Sequence, residues 1–207
     1  MRKSIPRVAA ALVALALCSG MTLARANQST KEIADAILRL HIVAASNSET
    51  DQSDKLLVRD GIRELVELEL SSCKTKEEAS EVITSRLADI ECKAAEILEA
   101  QGRPTSVKAS LGRRHFPLRQ YGKLTIPAGT YTALTVTIGE GEGKNWWCVM
   151  YPPLCYSGTQ LQNEQEAIDF LGARLSPQTM ERVLQGEKTV YRSKLLDELS
   201  AFMSRKD

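Results

Sequence analysis

Apolar side chains recur at helical spacing from about residue 52 to residue 98, and beyond Gly102 and Pro104 they alternate instead. This change of period divides the chain into a helical block and a strand block. A regular β-α alternation would not produce it. In the helical block, Leu57, Ile62, Leu65, Val66 and Leu70 form one stripe on a helix from about Gln52 to Ser71, with Asp51 as its expected N-cap. Thr75 and Glu78 form a capping box that opens a second helix, whose stripe is Ala79, Val82, Ile83, Leu87, Ile90, Ala94, Ile97 and Leu98. Gly102 and Pro104 stop it.

A strand over residues 37–45 precedes this block. After it, Val107 to Tyr121 and Tyr131 to Ile138 are rich in strand formers, with Pro127-Ala128-Gly129 between them. Gly139 to Asn145 reads as a flexible acidic hairpin loop leading into a strand at 146–151. Helix returns with a cap pattern at Asn163 and Glu166, restarts at Ser176-Pro177 with Pro at its first position, and ends at Gly186. A last amphipathic helix carries Leu195, Leu196, Leu199, Phe202 and Met203. The order β-α-α-β-β-β-α-α predicts a single α+β domain, a mainly antiparallel sheet flanked by a long helical hairpin and C-terminal helices.

The first 26 residues stand outside that domain. Arg2 and Lys3 make a basic start, Val8 to Leu17 an apolar run, and Ala24-Arg25-Ala26 a small-residue cleavage site, the three parts of a secretory signal peptide. The apolar run is about half the ~20 residues of a bilayer span. The alternative is an uncleaved anchor; a lipoprotein reading fails because Leu17 precedes Cys18. Cleavage leaves residues 27–207 as one domain. The four basic residues of the leader go with it, leaving 23 basic against 26 acidic side chains. That balance does not favour nucleic acid or an anionic membrane surface.

The densest chemistry lies in Asn145-Trp146-Trp147-Cys148-Val149-Met150-Tyr151-Pro152-Pro153-Leu154-Cys155. Adjacent strand residues point to opposite faces, so Trp146 and Trp147 cannot share one core. Tryptophan is costly to expose and enriched where proteins bind proteins. In an exported chain Cys148 and Cys155, seven apart around Pro152-Pro153, can reach disulfide distance; two buried thiols are the alternative. Cys73 continues the stripe of Ile62 and reads as a buried thiol, whereas Cys92 faces away from its stripe.

Enzyme motifs are weak. The Gly139–Gly143 run lacks the GK[ST] of a phosphate loop, and its two glutamates repel phosphate. His41 and His115 are the only histidines, and no CxxC or HxxxH spacing suggests a metal. No cofactor or small-molecule substrate is indicated. A Cys155–His41 nucleophilic pair is one reading, and a histidine fixed within a strand is the other. Asp51, Asp54 and Asp60 read as caps and ion-pair partners.

Three blocks resemble the stage II sporulation protein R family of endospore-forming Firmicutes. Leu38-Arg39-Leu40-His41-Ile42-Val43 through Ser48, with Asp51-Gln52 and Lys55 through Asp60, resembles its LRFHVIANSDS…DQxxKxxVRD block. Tyr121-Gly122 through Pro127-Ala128-Gly129-Thr130-Tyr131 resembles its YG…PAGxY block, and Ile138 through Cys155 its IGEGxGxNWWCVxxPPLC block. Ala45, Asn47 and Leu40 depart from the first pattern. The resemblance implies a protein exported from the forespore into the space between the two membranes that separate it from the mother cell. There it would trigger a membrane-embedded aspartic-type protease that removes the pro-sequence of pro-sigma-E. It would act by binding and not as an enzyme, with Trp146, Trp147 and Tyr151 as apolar anchors and His41, Arg59 and Asp60 as polar contacts. The rivals are an exported cysteine-dependent hydrolase or thiol oxidoreductase, and a structural module of the spore envelope.

Overall fold

The computed structural model describes residues 26–152 and 164–185; the expected leader up to residue 25, Cys155 and the last amphipathic helix lie outside the described residues. The element order is helix α1 (26–36), β1 (Leu38–Val43), α2 (Glu49–Ser72), α3 (Lys76–Ser85), α4 (Leu87–Ala100), β2 (Val107–Phe116), β3 (Arg119–Tyr121), β4 (Leu124–Ile126), β5 (Gly129–Ile138), β6 (Asn145–Tyr151), α5 (Glu164–Gly172) and α6 (Pro177–Leu184). This is the expected α+β domain, with an additional helix before the first strand.

Four strands form one sheet in the order β2-β5-β1-β6, and β3 and β4 form a small hairpin. β2 and β6 run antiparallel to their neighbours, but β1 and β5 are parallel. The loop at 139–145 is therefore not the hairpin that the acidic glycine run suggested. It carries the chain from β5 across the end of β1 to β6, and backbone bonds from Glu142 and Gly143 to the Ala45 and Ala44 carbonyls hold it there. A side-chain carbon on Gly143 would overlap the Ser46 carbonyl, so only glycine allows this crossing.

β1 alternates cleanly. Leu38, Leu40 and Ile42 face α2, α3 and α4, joining Val58, Ile62, Val66, Leu70, Ile83, Ile90 and Leu98 in the larger core. A second core on the opposite face gathers Ile33 and Ile37 with Phe116, Ile126, Tyr131, Ala133, Val149, Leu171 and Val183. Each such side chain removed from water contributes roughly 1.5–3 kcal/mol, so two cores clamp β1 from both sides.

The cap of α2 is Ser48, whose hydroxyl accepts from the Asp51 amide, so the helix begins before the expected Asp51. Asp51 instead accepts from the Ser46 hydroxyl. Thr75 caps α3 as expected, accepting from the Glu78 amide. The single helix expected over 75–98 is two, broken at Arg86, which joins Glu69 of α2 and Asp89 of α4. Gly102, at φ +71°, turns α4 off with Arg103 N–H bonded to the Leu98 carbonyl.

Candidate functional site

β6 lies at the edge of the sheet and pairs with β1 through His41 opposite Trp147 and Ile42 opposite Trp146. Strand alternation sends Trp146 towards the three-helix face and Trp147 to the other, as adjacency required. Each tryptophan is half-buried and each meets a nitrogen-rich side chain, but the two pairs are built differently.

Trp147 stacks on the His41 ring at 3.9 Å and 6°. Phe116 meets Trp147 edge-on at 4.8 Å and His41 at 6.1 Å. His41 Nε2 donates to Asn145 Oδ1 at 2.6 Å. That leaves Nδ1 as an acceptor, buried and without a hydrogen-bond partner among the described residues. Burial holds the His41 pKa below its ordinary value, the Arg114 charge lowers it further, and the Asn145 bond opposes both.

Beneath this stack lies Arg39, fully buried. Its guanidinium sits 4.1 Å over Phe116, 5.1 Å from Tyr131 and 5.8 Å from Tyr121. Nε donates to the Cys148 carbonyl at 3.0 Å, and Nη2 to the Tyr121 hydroxyl at 2.7 Å. The Tyr121 hydroxyl passes its own proton to the Trp147 carbonyl at 3.2 Å. A buried cation held by rings and neutral acceptors thus fixes the backbone of β6 from one face.

On the other face, Arg59 of α2 lies 4.5 Å over Trp146. Its Nε and Nη2 donate to the two Asp60 oxygens, each at 2.9 Å, which orients the guanidinium plane on the ring. The Trp146 Nε1 is buried without a hydrogen-bond partner among the described residues. At the far end of the strand Tyr151 is buried, donating its hydroxyl to the Cys73 carbonyl at 3.1 Å and meeting Phe170 edge-on.

The structure therefore divides the six expected contact residues. His41 joins Trp147, Arg59 and Asp60 join Trp146, and Tyr151 stands apart in the core. Arg39, Phe116, Tyr121 and Asn145 complete the site, and none of them is among those six. Strand alternation puts Arg39 on the same face as His41, a local signal that could have found it; nothing local announced Phe116 or Tyr121. The block around Asp51, Gln52 and Lys55 braces the site from its end. Lys55 donates to Gln52 and to the Lys144 carbonyl, and Gln52 to the Ser46 carbonyl. Asp54 is buried in an ion pair with Arg103.

Cys148 is buried. Among the described residues the free thiols are Cys73, half-buried and not fully buried as expected, and Cys92, exposed as expected. Burial raises the Cys73 pKa, and the Glu96 charge raises that of Cys92, so both are driven away from the thiolate. Among the described residues no three His, Cys, Asp or Glu side chains converge as a metal site would require.

These features define an α+β domain whose edge strand carries an aromatic pair splayed across both faces. The family model described as stage II sporulation protein R matches residues 34–161, and the chain belongs to that family. Stage II sporulation protein R of Bacillus subtilis (strain 168) is 38% identical over 137 residues, covering 65% of this chain and 61% of that relative. No solved structure matches.

Proposed function

We propose that this chain is an exported sporulation signal that activates, by binding, the membrane-embedded aspartic-type protease that processes pro-sigma-E. Family membership supports a role in sporulation. The observation that carries the binding reading is the β6 edge, where Trp147 stacked on His41 forms one rim and Trp146 under Arg59 and its partner Asp60 forms the other, so that two of the blocks shared with the family meet there. Rigid aromatic anchors beside desolvated polar atoms are what a partner surface exploits. Activation follows if the partner's active arrangement is bound more tightly than its inactive one.

Residues 1–26 would direct export into the space between forespore and mother cell. In that oxidising setting Cys148 and Cys155 would pair and tie the end of β6 to the Pro152-Pro153 corner. The test co-expresses the chain, the protease and pro-sigma-E in a non-sporulating cell, with and without residues 1–26. Processing should require the leader. Trp147→Ala should weaken protease binding by roughly tenfold or more. Normal processing by folded Trp146→Ala and Trp147→Ala chains removes this surface from the mechanism.

A further inference from the structure

The opposite edge of the sheet differs in every respect from β6. Residues 107–138 hold five lysines and arginines and no aspartate or glutamate, whereas residues 49–100 hold fourteen acidic and seven basic residues. The acidic helices α3 and α4 pack against β2 and reach it at Ala109, while the exposed basic residues Arg113 and Arg114 lie further along the strand, at the edge of the sheet. Along β2, Gly112, Arg113, Arg114 and His115 are all exposed, and among the described residues no strand pairs with its outer side.

Two details of that edge bear on what it meets. The Ala109 amide points outward, because it donates to Glu91 Oε1 of α4 at 2.7 Å. Hydrogen-bonding direction alternates along an antiparallel strand, so the Leu111, Arg113 and His115 amides also point outward. The molecule thus already seats a carboxylate on the first amide of this edge. Gly112, in the middle of the exposed stretch, has no positive φ, and a side-chain carbon built on it meets no atom within 4 Å. Glycine weakens a strand interior and often marks the close approach of another backbone. Nothing among the described residues requires it here.

We propose that the β2 edge from Leu111 to His115 is a strand-addition site for an extended, acidic segment of a protein partner. The backbone supplies the outward amides and carbonyls, Arg113 and Arg114 flank them on the two faces, and Gly112 leaves room for an incoming side chain. A second copy of the chain would bring like charges together. The exposed large apolar residues among the described set, Leu57, Leu68 and Leu184, lie on helices, so this edge has nothing to insert into a bilayer. The outer edge of β2 borders the Trp147 site through Phe116 at the end of the same strand, but its outward amides are a separate surface, and the proposal does not depend on the function proposed above.

The test uses the full-length chain and a capped ten-residue peptide alternating glutamate with valine and threonine, against its lysine counterpart. Phosphatidylglycerol vesicles form a third arm. The glutamate peptide should bind and slow amide exchange at Leu111, Arg113 and His115 by about tenfold or more, and the lysine peptide should not bind. Arg113→Glu with Arg114→Glu should abolish binding while leaving the melting temperature in place. Arg113→Pro removes one outward amide without touching the β5 ladder and should weaken binding by roughly tenfold. Equal binding of both peptides, binding without protection at those three amides, or binding only to vesicles overturns the proposal.

Discussion

The two tryptophans of β6 occupy similar surroundings with opposite chemistry. Trp146 lies under Arg59, a permanently charged group whose partner Asp60 is partly in water. Trp147 lies on His41, whose pKa burial lowers, above the sealed cation Arg39. The first is a surface clasp between helix and strand. The second is continuous with a core. A partner that reads both rims meets one rim it can bend and one it cannot.

The sharpest way to break this contrast is Arg39→Ala. It removes a fully buried side chain, opens a cavity beneath Phe116, and strands the Cys148 carbonyl. The expected loss is about 3–5 kcal/mol in urea denaturation, within the range for large-to-small core changes. A loss near that of a surface substitution would mean that Trp147 does not rest on a core.

Next in size are the tryptophans themselves. Trp147→Ala loses contacts with two rings and should cost about 2–3 kcal/mol. Trp146→Ala loses a half-buried ring under one guanidinium and should cost about 1–2 kcal/mol. The order matters more than the values. If Trp146 proves the costlier residue, the clasp rather than the stack anchors the edge strand.

How much of this arrangement was readable beforehand depended on distance along the chain. The helix stripes, the Thr75 cap, the Gly102 stop and the opposite facing of Trp146 and Trp147 are consequences of local period and local chemistry, and they appear where expected except at Leu57, which is exposed while its neighbour Val58 fills the core. The parallel pairing of β1 with β5 was not readable, because a glycine-rich loop between two strands looks the same whether or not a third strand lies between them. The burial of Tyr151 was equally hidden. Its hydroxyl meets the Cys73 carbonyl, 78 residues away, and no spacing rule encodes that contact. The break at Arg86 carries no Gly or Pro to announce it, and it falls where the Arg86 guanidinium joins Glu69 of α2 and Asp89 of α4.

The pH response separates the two rims further. His41 has a lower pKa folded than its ordinary 6.5. The unfolded chain therefore takes up a proton first as the pH falls. Stability is fully retained above about pH 6.5 and declines below it until the folded pKa is passed. Glu32, lowered by bonds from Thr179 and Ser176, acts only near and below the carboxylate value of 4.5. His41→Phe should flatten the decline of stability as the pH falls below about 6.5. An unchanged slope in that window would place the titrating group elsewhere.

The smallest expected effect tests the clasp. In Asp60→Asn the Arg59 guanidinium keeps its position over Trp146 but loses a charged, two-pronged partner. Because the Asp60 side chain is 39% exposed, water replaces much of what is lost, and the expected cost is about 0.5 kcal/mol. Salt should shrink the difference from the native chain, since an exposed pair is screened over about 10 Å at 0.1 M. A buried pair would keep its full value in high salt. Denaturation at low and high ionic strength therefore decides whether Arg59 is held chiefly by Asp60 or by the indole beneath it. If the variant is as stable as the native chain at both, the ring alone holds Arg59. A partner's carboxylate could then take the place of Asp60 without disturbing the edge strand.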